Sequence, residues 1–372
     1  MKKITVSICV YLWLIFFCFP ISAQDFRTIN DGIEYAEIKR GTEIEPIKIN
    51  LLRLDLTKVR LDVVHALDAA IGLETTSSIA ARHGAVAAIN AGFFRLDKSI
   101  FAGDAAGVLM IDGKLLSEGN GRVSLVIRNN QSNTQTSIEK LSVSLGLFPQ
   151  KLTFKISGIN RERKNDEMVL YTPQFHSTTL TDNSGIEFVV IGDKIVSIFE
   201  GKGSNVIPEN GGVFSASGKL KDELRFLKIG AKLMATVKLE RPNKNFYTSK
   251  PEDIVGGVPQ LIKNGKIEIT WEQEKSSKSF VETRHPRTAV ARLKDGKFLM
   301  VTVDGRQKES VGMDLNELAA LLLELGATDA MNLDGGGSTT MFLNGKIVNN
   351  PSDKEGERKV SDAILVFPRK KR

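Results

Sequence analysis

The stretch from Asp314 to Met341 limits the possible folds more than any other part of the chain. Asp314 and Glu317 stand at capping-box spacing, with Asp in place of Ser or Thr. Leu315, Leu318, Ala319, Leu322 and Leu325 then make the apolar stripe of a helix, and Gly326 ends it. The run 327–333 reads as the next strand. Asn332 and Asp334 are two apart, so both side chains point to one face if the strand persists that far. Gly335, Gly336, Gly337 and Ser338 follow. Glycine permits positive φ and close approach to the backbone, and successive N–H groups there could form an anion-binding nest. Apolar strands on both sides disfavour a linker. No Gly-Lys-Ser/Thr follows, so this is not a Walker loop, and Gly-x-Ser-x-Gly is absent around Ser338. The chain resumes as a hairpin, 339–343 and 346–348, around Asn344-Gly345.

An earlier segment repeats the plan. Thr75 to Ser78 supply N-cap candidates for a short helix through His83, Gly84 is a natural helix stop, and 85–89 follows as a small apolar strand. Aligning Gly84 with Gly326 also matches Ala85 with Ala327, Ala88 with Ala330 and Asn90 with Asn332. This pattern places two helix–Gly–strand–Asn units in one core. A further hairpin is expected from 288–293 and 298–303 around Asp295-Gly296, with Arg287 and Asp304 at its open end and Arg306 just beyond. Residues 33–66 read as two or three half-buried strands, and about 123–250 reads as a strand-rich middle subdomain broken by turns. Residues 272–285 are polar and read as a flexible surface loop. The fold class expected is α+β: a strand-rich mixed sheet core with a few short helices, plus the strand-rich middle subdomain.

The first 23 residues are set apart. Lys2 and Lys3 precede an apolar run, 4–19, and Ile21-Ser22-Ala23 suits signal peptidase, leaving Gln24 first. The expected product is secreted or periplasmic, with no stable membrane anchor after cleavage. Both cysteines, Cys9 and Cys18, lie in that segment, so the mature chain has no disulfide, thiol nucleophile or Cys-based zinc site. Removing Lys2 and Lys3 takes the formal charge from +7 to +5, spread among interleaved acidic residues. Nucleic-acid binding is not indicated; an anionic substrate is compatible. Beyond the signal, the boundaries read are 24–84 for an N-terminal strand-rich region, 85–366 for the main domain and 367–372 for a basic tail.

Carboxylates are the best acid/base candidates. The four histidines, His65, His83, His176 and His285, include no pair at metal-ligand spacing, and His65 and His83 read as structural. Taken singly, Arg287 and Arg306 could be surface ion-pair residues, and Asp304 before Gly305 could be only a turn residue.

Together these segments resemble the phosphodiester glycosidase family, in its bacterial branch because the mature chain lacks cysteine. The blocks that carry the resemblance are Ala88 to Phe94, Gly107-Val108-Leu109 with Asp112-Gly113-Lys114, Pro286 to Ala289, Val303 to Arg306, Gly312 to Ala319, Asn332 to Met341, Asn350-Pro351-Ser352 and Glu357-Arg358. The resemblance implies hydrolysis of the bond between a sugar's anomeric carbon and a phosphodiester, in a glycoconjugate or envelope polysaccharide. Within it, Asp334 is the preferred catalytic carboxylate, with Asp304 as partner. Arg287 and Arg306, with Arg358 as a third, would hold the phosphate. Asn90 and Asn332 would orient sugar or phosphate oxygens; Thr288, Ser338 and the N–H groups of Gly335, Gly336 and Gly337 would assist. No cofactor is required on this reading. Two other classes stay open: a non-catalytic polysaccharide-binding envelope protein, and a metal-dependent phosphodiesterase with Asp304, Asp334 and Asn332 as ligands of Ca²⁺ or Mg²⁺. The sequence carries no reading of oligomeric state.

Overall fold

Two antiparallel sheets face each other across the main core, and a helix covers the outer side of each. A computed structural model describes residues 26–149, 153–241 and 251–369. The expected signal segment, 1–23, and the end of the basic tail lie outside the described residues. The larger sheet has eight strands, ordered Arg27–Asn30, Ile33–Gly41, Pro46–Leu54, Phe298–Val303, Arg287–Leu293, Ala327–Asn332, Gln260–Lys263 and Lys266–Ile267. The smaller has five, ordered Lys346–Ile347, Met341–Leu343, Ala87–Asn90, Asp362–Pro368 and Val59–His65.

Side-chain alternation explains the layering. Leu52, Leu54, Val290, Phe298, Met300 and Met331 of the larger sheet meet Ile89, Met341, Ile364, Val63 and Leu61 of the smaller one. The intervening residues Ile49, Leu51, Ala289, Ala291, Leu299 and Val301 point the other way. There they meet Leu315, Leu318, Ala319, Leu321 and Leu322 of the helix Leu315–Glu324. Outside the smaller sheet, Ala88, Phe342, Ala363 and Leu365 pack on Ile79 and Ala80 of the helix Thr76–His83.

Both helices begin and end for the reasons read from the sequence. Asp314 and Glu317 form a reciprocal capping box, and Thr75 accepts from Ser78 N. Gly84 ends its helix in the left-handed region, at φ 68°. The two helix–Gly–strand–Asn units lie in different sheets, and Ile89 of one and Met331 of the other enter the same core.

The middle of the chain divides between two further sheets. The long hairpin Asn120–Asn129 and Thr134–Pro149 pairs with Asp253–Gly256, which joins Leu109–Ile111 and Lys114–Ser117. A separate five-stranded sheet runs from Gly158–Ile159 to Gly211–Ala216, and a third core lies between it and the hairpin. The polar span 272–285 is structured rather than a bare loop. It holds the helix Lys278–Glu282, and buried Glu274 accepts from the backbone N–H groups of Val123 and Gln260. Among the described residues, no helix is long and apolar enough to cross a membrane. The architecture is α+β, with strands dominant.

Candidate active site

The glycine-rich segment is the crossing between the two main sheets. It leaves the strand Ala327–Asn332 in the larger sheet and enters Met341–Leu343 in the smaller. Three backbone bonds fix its path at the polar end of the core: Leu333 N to Thr288 O, Asp334 N to Ala91 O and Gly336 N to Pro286 O. The hairpin pairs Arg287 with Val303, so Asp304 follows directly at its open end, as expected.

Each glycine allows a close approach. A Cβ on Gly335 would stand 2.7 Å from Pro286 O, and one on Gly336 3.2 Å from Arg306 Nη2. On Gly337 it would collide with the Arg358 guanidinium and with Asp353. The triple glycine therefore lets two arginines lie against the backbone. It makes little of an anion nest: Gly335 N donates to Asp334 Oδ1, Gly336 N to Pro286, and Ser338 N and Thr339 N to the carbonyls of Gly335 and Gly336.

Asp334 sits half-buried at the head of this crossing. Burial pushes its carboxyl up to about 7, against the opposing influence of the Ser338 hydroxyl, the Arg358 charge and the Gly335 N–H. Asp362, at the start of the strand Asp362–Pro368 of the smaller sheet, adds a like charge that raises it further. Ser338 Oγ is buried without a hydrogen-bond partner among the described residues.

The arginines differ in kind. Arg306 is exposed, has φ 61°, lies over Gly336, and takes part in no ion pair among the described residues. Its Nη2 donates to His285 Nδ1 at 3.2 Å. Arg358 makes a two-point pair with Asp353, at 2.7 and 2.9 Å, over Gly337. Arg287 departs from the expected phosphate clamp. It is 2% exposed, and its Nε and Nη2 donate to the backbone carbonyls of Met313, Phe280 and Thr283. Burial lowers it to about 10. These bonds dock the helix Lys278–Glu282 and the 312–314 loop, so Arg287 is a framework residue.

Asp304 also departs from its expected place as the partner carboxylate. It is 1% exposed, and Oδ1 accepts from Asn349 Nδ2 at 3.2 Å and Asn350 N at 3.0 Å. Burial raises its pKa. It pins the 349–350 turn rather than facing a substrate. Asn90 is likewise engaged: its Nδ2 donates to Asp334 O, and its Oδ1 accepts from Thr288 Oγ1 and Thr340 N. Asn332 Nδ2 donates to the carbonyls of Val258 and Leu333. These side chains, with Thr288, hold the crossing in shape instead of reaching outward. Among the described residues, no group of three or more His, Cys, Asp or Glu side chains is placed to hold a metal ion. Of the proposed oxygen ligands, Asp304 Oδ1 is taken up by Asn349 and Asn350, while Asp304 Oδ2 and Asn332 Oδ1 are buried without a hydrogen-bond partner among the described residues.

Along the 334–338 crossing the structure therefore gathers Ser338 and Arg358 by Asp334 and Arg306 over Gly336, together with residues given no site role from the sequence: Asp362 by Asp334, Asp353 with Arg358 and His285 with Arg306. His285 stands next to a noted motif but at no informative spacing. Asp353 is marked by its partner Arg358 five residues later, and Asp362 by nothing except opening the last strand. Three clefts, of about 650, 410 and 420 Å³, open elsewhere, and neither Asp334 nor Arg306 lines them.

Comparisons with known proteins bear on the family and the fold. The phosphodiester glycosidase family profile matches residues 184–367. A stretch of 109 residues is 39% identical to bovine N-acetylglucosamine-1-phosphodiester alpha-N-acetylglucosaminidase, covering 27% of this chain and 20% of that protein. The match thus spans about a fifth of that relative's length. A hypothetical protein from Synechocystis has the same fold, with a TM-score of 0.77 at 24% identity over 94% of this chain and 64% of that one. The zebrafish N-acetylglucosamine-1-phosphodiester alpha-N-acetylglucosaminidase catalytic domain, auto-inhibited by its pro-peptide, shares the fold with a TM-score of 0.52 at 17% identity, over 92% and 86%. The chain carries a phosphodiester glycosidase domain, with Asp334, Arg306 and Arg358 all inside the matched span.

Proposed function

We propose that this protein is an exported hydrolase that cleaves a sugar-1-phosphodiester between the anomeric carbon and the phosphate oxygen, in a glycoconjugate or envelope polysaccharide. The observation that carries the reading is Asp334: a carboxyl held up to about 7, at the crossing of the two sheets, bordered by two arginines. A group poised near neutral pH suits proton transfer. Export rests on the signal-like residues 1–23 and on the confinement of both cysteines to them.

In this mechanism the Asp334 carboxylate takes a proton from water as the water oxygen attacks the anomeric carbon. The carbon–oxygen bond breaks, its electron pair goes to the phosphate oxygen, and the products are the free sugar and a phosphate monoester. That leaving group has a second pKa of roughly 6, so it departs without a general acid. One carboxylate then suffices, which fits the withdrawal of Asp304 into the framework. Arg306 and Arg358 would offset the second negative charge as it develops on the phosphate.

The test is incubation with N-acetylglucosamine 1-(methyl phosphate), with free reducing sugar as the readout. Release by the wild type and its loss in Asp334→Asn supports the assignment. Equal release by both would remove Asp334 from the reaction.

A further inference from the structure

His285 is the group at the site that the mechanism above leaves unused. It is half-buried, and its backbone is locked to Met313 by reciprocal N–H to carbonyl bonds, so the ring stands on a fixed strand-like bridge. Arg306, in contrast, is an exposed side chain on a left-handed loop residue, without a carboxylate partner among the described residues. A long cation of this kind has many rotamers in water. Among the described residues, the one side-chain bond that fixes it is to His285 Nδ1, and that bond lays the guanidinium over Gly336. A guanidinium can only donate, so Nδ1 must be unprotonated for the bond to exist.

We propose that His285 is a positioning residue: its neutral ring aims Arg306 at the phosphate-binding place over Gly336, and protonation of the ring releases Arg306, so that anion affinity falls in acid. The inference rests on the functional reading above for the identity of the substrate, but not for the pairing itself. The charged groups facing the ring are Arg306 and Arg287, both cationic, and with burial they hold the ring below the ordinary histidine range. The neutral form therefore prevails near pH 7. Arg284, beside it in sequence, is turned into Glu317 and Glu45, and Asp314 acts on Arg287. Among the described residues, no carboxylate thus stabilises a charged His285. Once protonated, the ring presents a donor and a like charge to the guanidinium, and the arginine loses its anchor.

A phosphodiester keeps one negative charge across the acidic range, so any pH dependence of its binding belongs to the protein. The probe is dimethyl phosphate, with its dissociation constant measured by NMR titration of the full mature chain at pH 7.5 and pH 5 and fixed ionic strength, every protein carrying Asp334→Asn so that the neighbouring carboxyl does not titrate between the two. Charge-assisted contacts of this kind support a weakening of roughly tenfold on acidification. His285→Gln keeps an amide oxygen that accepts from Arg306 at both pH values, so its dissociation constant is expected not to change between them. His285→Phe is expected to bind weakly at both. A His285→Gln protein with the wild-type pH dependence, or an Arg306→Ala protein with wild-type affinity, overturns the proposal. Substrate kinetics give a separate readout: His285→Gln is expected to remove the acid rise in KM, while the fall in kcat below about pH 7, which belongs to Asp334, is shared by the wild type and the variant. If sugar phosphodiesters are not hydrolysed but dimethyl phosphate binds with this pattern, the hydrolase reading fails and the His285–Arg306 pairing stands.

Discussion

Replacing Asp334 by Asn should abolish turnover and at the same time stabilise the fold, because the carboxylate is held where it is unwelcome. Its folded pKa is about 7, against an ordinary value near 4. The sign follows from linkage. A carboxyl whose pKa is raised on folding destabilises the native state above the unfolded pKa. The penalty grows as pH rises through the interval and is complete above the folded pKa. The full interval corresponds to at most about 4 kcal/mol. Asp334 is half-buried rather than sealed, so a gain of about 2 kcal/mol at pH 8 is the working figure. Asparagine keeps the acceptor that Gly335 N uses, and its amide N–H can reach the unpartnered Ser338 hydroxyl. Urea unfolding of both proteins at pH 8, 6 and 4 measures the difference. The variant should be more stable at pH 8, less clearly so at pH 6, and equal at pH 4, with turnover lower by on the order of 10²-fold or more. An Asn variant less stable than the wild type at pH 8 would refute the reasoning that burial strains this carboxylate.

Four further outcomes follow from the same geometry. The wild-type rate should rise with pH and level off above about 7, because the base must be ionised; a pH–rate profile that falls through that region would assign Asp334 as an acid instead. Arg287→Ala removes the donors to the Phe280 and Thr283 carbonyls, while Met313 O keeps His285 N, and should destabilise the fold by about 3 kcal/mol; thermal melting checks it, and an unchanged midpoint with a raised KM would restore Arg287 as a phosphate ligand. Asp304→Asn retains the acceptor for Asn349 and Asn350, so turnover should stay within about threefold of wild type; a loss of about 10²-fold would make it the second catalytic carboxylate. Gly337→Ala should separate Arg358 from Asp353 and raise KM for the phosphodiester, and unaltered kinetics would show that the pair is not part of the site.

Local patterns in the sequence carry much of this architecture. The capping box at Asp314, the glycine stops at Gly84 and Gly326, and the Asp295-Gly296 and Asn344-Gly345 turns concern groups a few residues apart, so their chemistry is legible without a fold. The glycine-rich segment was legible as a crossing between strands that admits close approach to its backbone for the same reason. Roles that depend on distant partners were not. Arg287 looks like a phosphate ligand until the carbonyls of Phe280, Thr283 and Met313 close around it. Asp304 and Asn90 look like active-site residues until the 349–350 turn and the 339–340 segment engage them. Polar residues at strand ends serve framework and chemistry alike, and only burial and partners separate the two uses. His285 and Asp362 show the converse, since each gains its place only when the two sheets bring 306 and 334 alongside.

Hydrolysis in ¹⁸O-labelled water, with the products analysed by mass, addresses the central claim most directly. Attack by water at the anomeric carbon puts the label in the sugar hydroxyl and leaves the phosphate monoester unlabelled. Label in the phosphate, with none in the sugar, would mean cleavage between phosphorus and oxygen and would contradict the glycosidase account.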